Sequence, residues 1–457
     1  MTNPSPADGT AAAPSGTPTI LITPLRPAVA AEGGAVEVLV RVQAPERPPA
    51  AAGTTQPRIP LRLALVVDRS GSMDGEPLTE ALRCVQHIGA LLQPDDHLAV
   101  VLYDDKVQVP VPLTQSPGAQ AVAQALAGVD SGGSTDLYEG WESGARQLMI
   151  GTPGAISRVV LLSDGQANHG HVDPGYIADQ CKRWLERGVS TTTVGLGRGF
   201  NEELMLSMAR AGGGQQYYGQ RAEDLYDAFD EELSLLQAMV LRQLRVKPVP
   251  APGVIVEPLG GVVAGADGWL PLPDLAWGAD AWMLLRLHVA AEHRPAAMQR
   301  TLLALSLQGQ DMDGNPVTLH AAPLVLPVMP ASDIVGLPVD DTVVRRLQEV
   351  AFADLNMQVR QLLQQGQGKE AKALLQRGEA MVANYPWLAG KLAQLKSLLE
   401  RDADMASKEM LFSSARMRRR LSSDDEAMLV ADETASSTKA AYLRRKTSVG
   451  TGRRRSE

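Results

Sequence analysis

The sequence predicts an α/β domain of the doubly wound, mostly parallel kind, set into a β-sandwich and followed by a short helical bundle and a disordered tail. Three observations carry that expectation. Between about residues 61 and 240, apolar runs of strand length alternate with segments of helical period, which is how a parallel sheet buried on both faces reads. Two blocks of short strand-like runs broken by Pro and Gly flank that region, at 18–45 and 242–330. From about 338 the apolar spacing settles at three and four residues and holds to about 402, the period of a helix with one buried face.

Bulk composition agrees. The chain has 457 residues, 44% apolar and 21% charged, long enough for about three domains. With 42 Gly, 31 Pro and only 4% aromatics, it suits turn-rich architecture rather than a long coiled coil. No run approaches the roughly 18 apolar residues of a membrane span, so a soluble chain is expected. The formal charge of −9 is uneven: from Ala403 onward there are 12 basic and 8 acidic residues, net +4, leaving −13 on residues 1–402. An acidic body argues against a nucleic-acid-binding core, whose footprint is a basic face.

Taken in order, residues 1–17 form a Pro/Ala/Gly/Ser leader with no basic segment ahead of an apolar one, so no secretory signal is expected. Residues 19–25 and 36–42 have strand composition, with Gly33–Gly34 at the turn. Residues 45–60 read as a linker. Apolar strands follow at 61–67, 98–103, 159–163 and 190–195. Helices are expected at 78–92, 119–127, 137–149, 174–187 and 202–211, with a closing helix at 223–241, which sets the α/β domain at 61–240. Cys84 and Cys181 fall on these helices. Two thiols cannot frame a disulfide scaffold, and a reducing cytoplasm is the expected compartment.

Strands are expected at 244–248, 253–257, 281–290 and 301–308, with a hairpin turn at Met312-Asp313-Gly314-Asn315. These are few for a sandwich, and the strands at 19–42 need partners, so the two blocks combine into one discontinuous β-sandwich around the inserted domain. Residues 338–402 form three helices in hairpin order, broken at Gly366–Gly368 and at Tyr385-Pro386. A residual helix runs toward Arg420. Residues 421–457 are a basic, Ser/Thr-rich tail too poor in large apolar residues to order itself.

The chemistry sits at strand ends, where ligands of such sheets bind. The strand 61–67 runs into Asp68-Arg69-Ser70-Gly71-Ser72-Met73, a carboxylate and two hydroxyls at alternate positions that can point one way. Gly132-Gly133-Ser134-Thr135-Asp136 precedes a helix, and Asp164-Gly165 follows another apolar strand. Hard oxygen donors of this kind suit Mg²⁺, Mn²⁺ or Ca²⁺ rather than zinc.

This pattern resembles the von Willebrand factor type A (VWA) domain and its metal-ion-dependent adhesion site, written D-x-S-x-S, then a Thr, then Asp-Gly. The resemblance implies that Ser70, Ser72 and Thr135 supply hydroxyl ligands, that Asp68 and Asp164 ligate directly or through water, and that the last octahedral position takes a carboxylate from a partner. The flanking layout is similar to intracellular bacterial members of the branch that includes inter-α-trypsin-inhibitor heavy chains and calcium-activated chloride channels.

Other motifs read as structural. Gly195-Leu196-Gly197-Arg198-Gly199-Phe200 has Phe200 where a dinucleotide fingerprint needs its third glycine. Gly366-Gln367-Gly368-Lys369 lacks the hydroxyl residue of a phosphate loop, with Glu370 next instead. His169 and His171 are expected in a solvated loop, and Asp95-Asp96 and Asp104-Asp105 in turns. No nucleophile elbow or His/Cys cluster is present in the sequence. In the tail, Ser422, Thr447, Ser448 and Ser456 each follow a basic cluster and resemble sites of basophilic Ser/Thr kinases.

The resulting expectation is a cytoplasmic, non-enzymatic interaction module that grips an Asp or Glu of a protein partner through a Mg-type site, with tail phosphorylation as a switch. A second reading is an accessory, substrate-recruiting subunit of an ATPase or kinase complex. A third is a metal-dependent hydrolase using the same oxygens to activate water.

Overall fold

A strand with no exposed residue needs a neighbour on each edge and cover on each face, and Leu61–Asp68 is such a strand. In a computed structural model of the chain, which describes residues 18–46, 58–149, 154–197, 199–219, 221–291, 298–418 and 421–423, it lies inside a six-stranded sheet. The order is Val107–Gln115, His97–Tyr103, Leu61–Asp68, Ile156–Ser163, Val189–Leu196, Gly213–Gly219. All neighbours run parallel except the Val107–Gln115 edge.

Alternation along the strand sorts side chains between two layers of helices. Leu63, Leu65 and Val67 pack with Cys84 and Ile88 of the Glu76–Leu91 helix and Phe229 of the Asp224–Gln237 helix. Ala64 and Val66 face Trp141, Ile177 and Met205 of helices Leu137–Gln147, Pro174–Glu186 and Glu202–Ala211. Two glycines let the Leu137–Gln147 helix approach the sheet: a Cβ at Gly140 would lie 2.4 Å from Tyr103 Cγ, and one at Gly144 2.4 Å from Val66 Cγ2. That approach holds the loop before the helix over the carboxyl ends of the strands.

The α/β domain interrupts a pair of packed sheets. One is ordered Thr19–Pro24, Gly34–Gln43, Ala279–Val289, Val254–Pro258; the other Leu270–Pro271, Met239–Pro250, Gln299–Gln310, Leu324–Met329, Val29–Ala30. The amino-terminal block therefore feeds both sheets. Val38, Val40, Val42, Met283 and Leu285 meet Val246, Leu303 and Leu305 between them. Deleting residues 1–45 is accordingly expected to unfold this sandwich, because it uncovers the whole Ala279–Val289 edge and removes buried valines from the core. A thermal scan matching that of the intact chain would contradict the pairing.

Helices Asp341–Gln364, Gly368–Val382, Pro386–Arg401 and Ala403–Met417 form the remaining unit. Val343 and Val350 of the first cover Leu39, Trp282 and Leu284 on the outer face of a sandwich sheet. The last reaches the α/β domain, where Phe412 stacks on Tyr218 with centroids 5.0 Å apart.

Several elements depart from the sequence reading. The helix expected to run to 241 ends at Gln237, and the chain is strand from Met239; an apolar run this short suits either state until packing decides. Val107–Gln115 is a strand despite Pro110 and Pro112, because an edge strand can spare their missing N–H groups. Gly213–Gly219 is a strand without a β-branched residue, recruited by its parallel neighbour. The helix beyond residue 402 ends at Met417 and packs with the three before it. Leu421–Ser423, inside the stretch expected to be disordered, pairs antiparallel with Ala279–Ala281, main-chain hydrogen bonds supplying what its composition does not. Residues 1–17, most of the 45–60 linker and the tail from 424, with Thr447, Ser448 and Ser456, lie outside the described residues.

Candidate functional site

Strand order brings three loops to one place. Leu61–Asp68 pairs with both His97–Tyr103 and Ile156–Ser163, so the loops after Asp68 and Ser163 are neighbours. The loop before Leu137 is tied to the first of them: Gly132 N donates to Arg69 O at 2.9 Å and Gly71 N to Gly133 O at 3.3 Å.

Asp68 is fully buried. Its carboxylate accepts from Ser70 N at 2.8 Å, Ser163 Oγ at 2.8 Å and Tyr103 OH at 3.4 Å. Ser70 Oγ lies 3.2 Å from Ser72 Oγ, and Ser72 Oγ donates to Asp164 Oδ1 at 2.6 Å. A Cβ on Gly165 would stand 3.3 Å from Ser72 Oγ and 3.6 Å from Thr135 Oγ1. The structure thus gathers Asp68, Ser70, Ser72, Thr135 and Asp164 around one point at the carboxyl edge of the sheet.

Three supporting residues lie outside the sequence-predicted set. Tyr103 stands opposite Asp68 in the strand register, and Ser163 directly precedes Asp164; both were findable once the strands were paired. Asn168 carries no local signal. Its Oδ1 accepts from Thr135 N at 2.8 Å, while its own N–H donates back to Thr135 O at 3.2 Å, which fixes the Thr135 backbone. Arg69, the cation within the first loop, is committed to Asp104 at 2.9 Å.

Burial pushes the Asp164 carboxyl up to about 6, with the charge of Asp68 adding to it and the Ser72 hydrogen bond opposing. Burial also raises Asp68, against its hydrogen bonds from Ser70, Ser163 and Tyr103. Two carboxylates in one poorly solvated place disfavour each other's ionisation. In the folded chain Asp164 therefore holds its proton more tightly than its ordinary value of 3.8. The stability this lends is fully present below about pH 4 and is lost as pH rises through about 6. With divalent cations chelated, the melting temperature is expected to carry a component that falls over that window and is absent from Asp164→Asn; identical profiles for the two proteins would contradict it.

His169 Nδ1 lies 3.3 Å from Asp136 Oδ2, and His171 stacks on Tyr176. Phe200 fills the space over Gly195, where a Cβ would meet its ring at 2.3 Å, which closes that turn to a nucleotide. Gly366, at φ +75°, ends a helix. Asp95 and Asp96 both pair with Arg58. Among the described residues no three His, Cys, Asp or Glu side chains cluster as metal ligands; the donors gathered here are two carboxylates and three hydroxyls.

The sequence profile of the von Willebrand factor type A domain matches residues 63–231, the six-stranded unit that carries these loops. Residues 63–231 form a VWA domain. Such domains generally mediate protein–protein interaction. The uncharacterized protein sll0103 of Synechocystis sp. is 27% identical over 249 residues, which is 51% of this chain and 58% of that protein. Inter-alpha-trypsin inhibitor heavy chain H3 of Mesocricetus auratus is 24% identical over 188 residues, 39% of this chain and 20% of that one. The chain therefore spans little over half of the first relative and a fifth of the second. A von Willebrand factor type A structure from Catenulispora acidiphila superposes with a TM-score of 0.69 at 15% identity, covering 88% of this chain and 98% of that one. The likeness in fold takes in the sandwich and the helices as well as the VWA domain.

Proposed function

We propose that the VWA domain binds a protein partner through a divalent cation of the magnesium class held by Asp68, Ser70, Ser72, Thr135 and Asp164. The supporting observation is the convergence of five oxygen-bearing side chains from three loops, two of them carboxylates whose ionisation burial opposes, the charge of Asp68 adding to the effect at Asp164. Oxygen donors of this number and hardness fit Mg²⁺, Mn²⁺ or Ca²⁺. When bound, such a cation supplies a Lewis-acidic position for an Asp or Glu carboxylate of the partner.

The chain's own residues do the rest. Asp68, anchored by Ser70 N, Ser163 and Tyr103, is held from below and cannot swing out to solvent. Ser70 and Ser72 are presented by the short Gly71–Met73 turn. Asn168 and the close-packed Leu137–Gln147 helix set Thr135. A rigid set of donors of this kind is preorganised, so little ordering cost attaches to capture of the partner. The two cysteines, Cys84 and Cys181, are free and buried, which suits a reducing compartment such as the cytoplasm, and the kinase-like clusters at Ser422, Thr447, Ser448 and Ser456 would regulate the module from its tail. The test is affinity capture from the native host with and without a chelator, read by mass spectrometry. One set of proteins retained only with magnesium, and lost with Asp68→Ala, is expected; retention indifferent to both overturns the reading.

A further inference from the structure

The loop that carries Asp164 has a neighbour outside the five donors. Ser163 stands opposite Gly195 in the parallel register, so the chain leaving Val189–Leu196 emerges beside Asp164. The two segments touch. A Cβ on Gly199 would lie 2.8 Å from Asp164 O, and Gln166 Nε2 donates to Gly199 O at 2.6 Å. Backbone this close to backbone couples the two loops, because close-packed groups transmit a displacement rather than absorb it.

The helical bundle holds this second segment in turn. Phe200 is fully buried, with the Lys408 ammonium 5.0 Å from its ring centroid and the rings of Tyr218 and Phe412 centred 5.2 Å and 6.3 Å away. Asn201 caps the Glu202–Ala211 helix by accepting from Leu204 N at 3.1 Å. Glu202 and Glu203 lie in the first turn of that helix, where carboxylates suit the helix dipole. The bundle pairs with both. Arg360 Nη1 donates to Glu203 at 2.9 Å and Nη2 to Glu202 at 3.3 Å, Gln364 donates to Glu203 at 2.8 Å, and Lys408 Nζ lies 3.9 Å from Glu202. Arg360 is 4% exposed and Lys408 3%, so both charges have been taken out of water. Apolar side chains would seal such a contact without that desolvation. What the cations add is direction: a planar guanidinium spanning two adjacent carboxylates sets where the helix start lies.

We propose that Arg360 and Lys408 of the helical bundle are positioning residues for the site at the strand ends: by fixing residues 199–203 they hold the loop that carries Asp164, and a shift of the bundle reaches the site along that path. A donor set performs only while its oxygens stay in place, so the bundle tunes how tightly the VWA domain holds its cation. That consequence rests on the cation reading above; the mechanical link between bundle and loop does not.

Hydrogen exchange on the full chain, with divalent cations chelated, tests the link. Arg360→Met combined with Lys408→Met keeps the aliphatic stems and removes both charges. Exchange is expected to quicken at residues 199–203 and at 164–168, to stay slow in the central strand at 61–67, and to return to the wild-type rate in the conservative pair Arg360→Lys with Lys408→Arg. Calorimetry on the same proteins reads the consequence: magnesium affinity should fall about 10-fold in the methionine pair, within the usual range for coupling between separate sites, and recover in the conservative one. Exchange at 164–168 equal to wild type, quickening spread evenly through the VWA domain, or quickening that the conservative pair fails to reverse would each overturn the proposal, as would an unchanged magnesium affinity in a chain that binds the ion. A wild-type chain that takes up no magnesium would sink the cation reading instead, and the exchange rates would still decide the link.

Discussion

Replacing Asp68 with asparagine is expected to abolish magnesium uptake while leaving the fold in place. The substitution keeps the shape of a side chain that is fully buried and keeps an oxygen to accept from Ser70 N, while its new amide can donate toward Ser163 Oγ. What it removes is charge. Burial already disfavours the ionised form of Asp68, so the metal-free protein should lose little stability and can gain some, the like-charge pressure on Asp164 being relieved. Attraction to a divalent cation has no such compensation. Removing one of two facing charges costs several kcal/mol at an effective dielectric of about 20, at least about 100-fold in affinity. At a magnesium concentration of 100 times Kd, the wild-type chain would gain about 2.7 kcal/mol from the ion, and the variant would gain almost none. Isothermal calorimetry and thermal melts with and without magnesium read both quantities. Equal magnesium heats in the two proteins would show that Asp68 is not part of a cation site.

The same residue illustrates what the sequence could and could not reveal. Asp68, Ser70 and Ser72 are close neighbours in the chain and follow an apolar run, so their convergence is legible from local spacing alone. Thr135 and Asp164 were reachable one step later, once the alternation of strands and helices set their loops at the same sheet edge and the family pattern singled them out there. Asn168 was not reachable at all: its role is to hold one backbone N–H, and polar residues in loops are too common to mark. The fold shows the same division. Strands 61–67 and 159–163 announce themselves because they are buried on both faces, whereas Val107–Gln115 and Gly213–Gly219 are edge strands, set by their neighbours rather than by their own side chains. The Leu421–Ser423 strand is held by main-chain pairing, which leaves no imprint on composition.

Glu232→Ala is expected to be among the most destabilising single changes in the chain, costing about 3–5 kcal/mol. Glu232 lies on the Asp224–Gln237 helix and is 2% exposed; Arg158, on a central strand, is equally buried. One carboxylate oxygen accepts from Arg158 Nη1 at 2.8 Å and Thr192 Oγ1 at 2.7 Å, the other from Tyr217 OH at 3.0 Å. The network therefore fastens the closing helix to three adjacent strands. Truncation leaves the buried Arg158 guanidinium with the more distant Asp274, at 4.0 Å, as its carboxylate, and removes the acceptor to which the Tyr217 and Thr192 hydroxyls donate. Glu232→Gln, which keeps the acceptor and loses the charge, should fall between wild type and alanine, since hydrogen bonds to charged groups contribute about 1.5–3 kcal/mol. The informative variant is the pair Arg158→Met with Glu232→Leu. Because most of the alanine cost is an uncompensated buried charge rather than the worth of the ion pair, the apolar double variant should be less destabilised than Glu232→Ala alone. Urea unfolding of the four proteins measures this directly. A double variant at least as unstable as Glu232→Ala would mean that the ion pair itself, and not the avoidance of a stranded charge, holds the helix to the sheet.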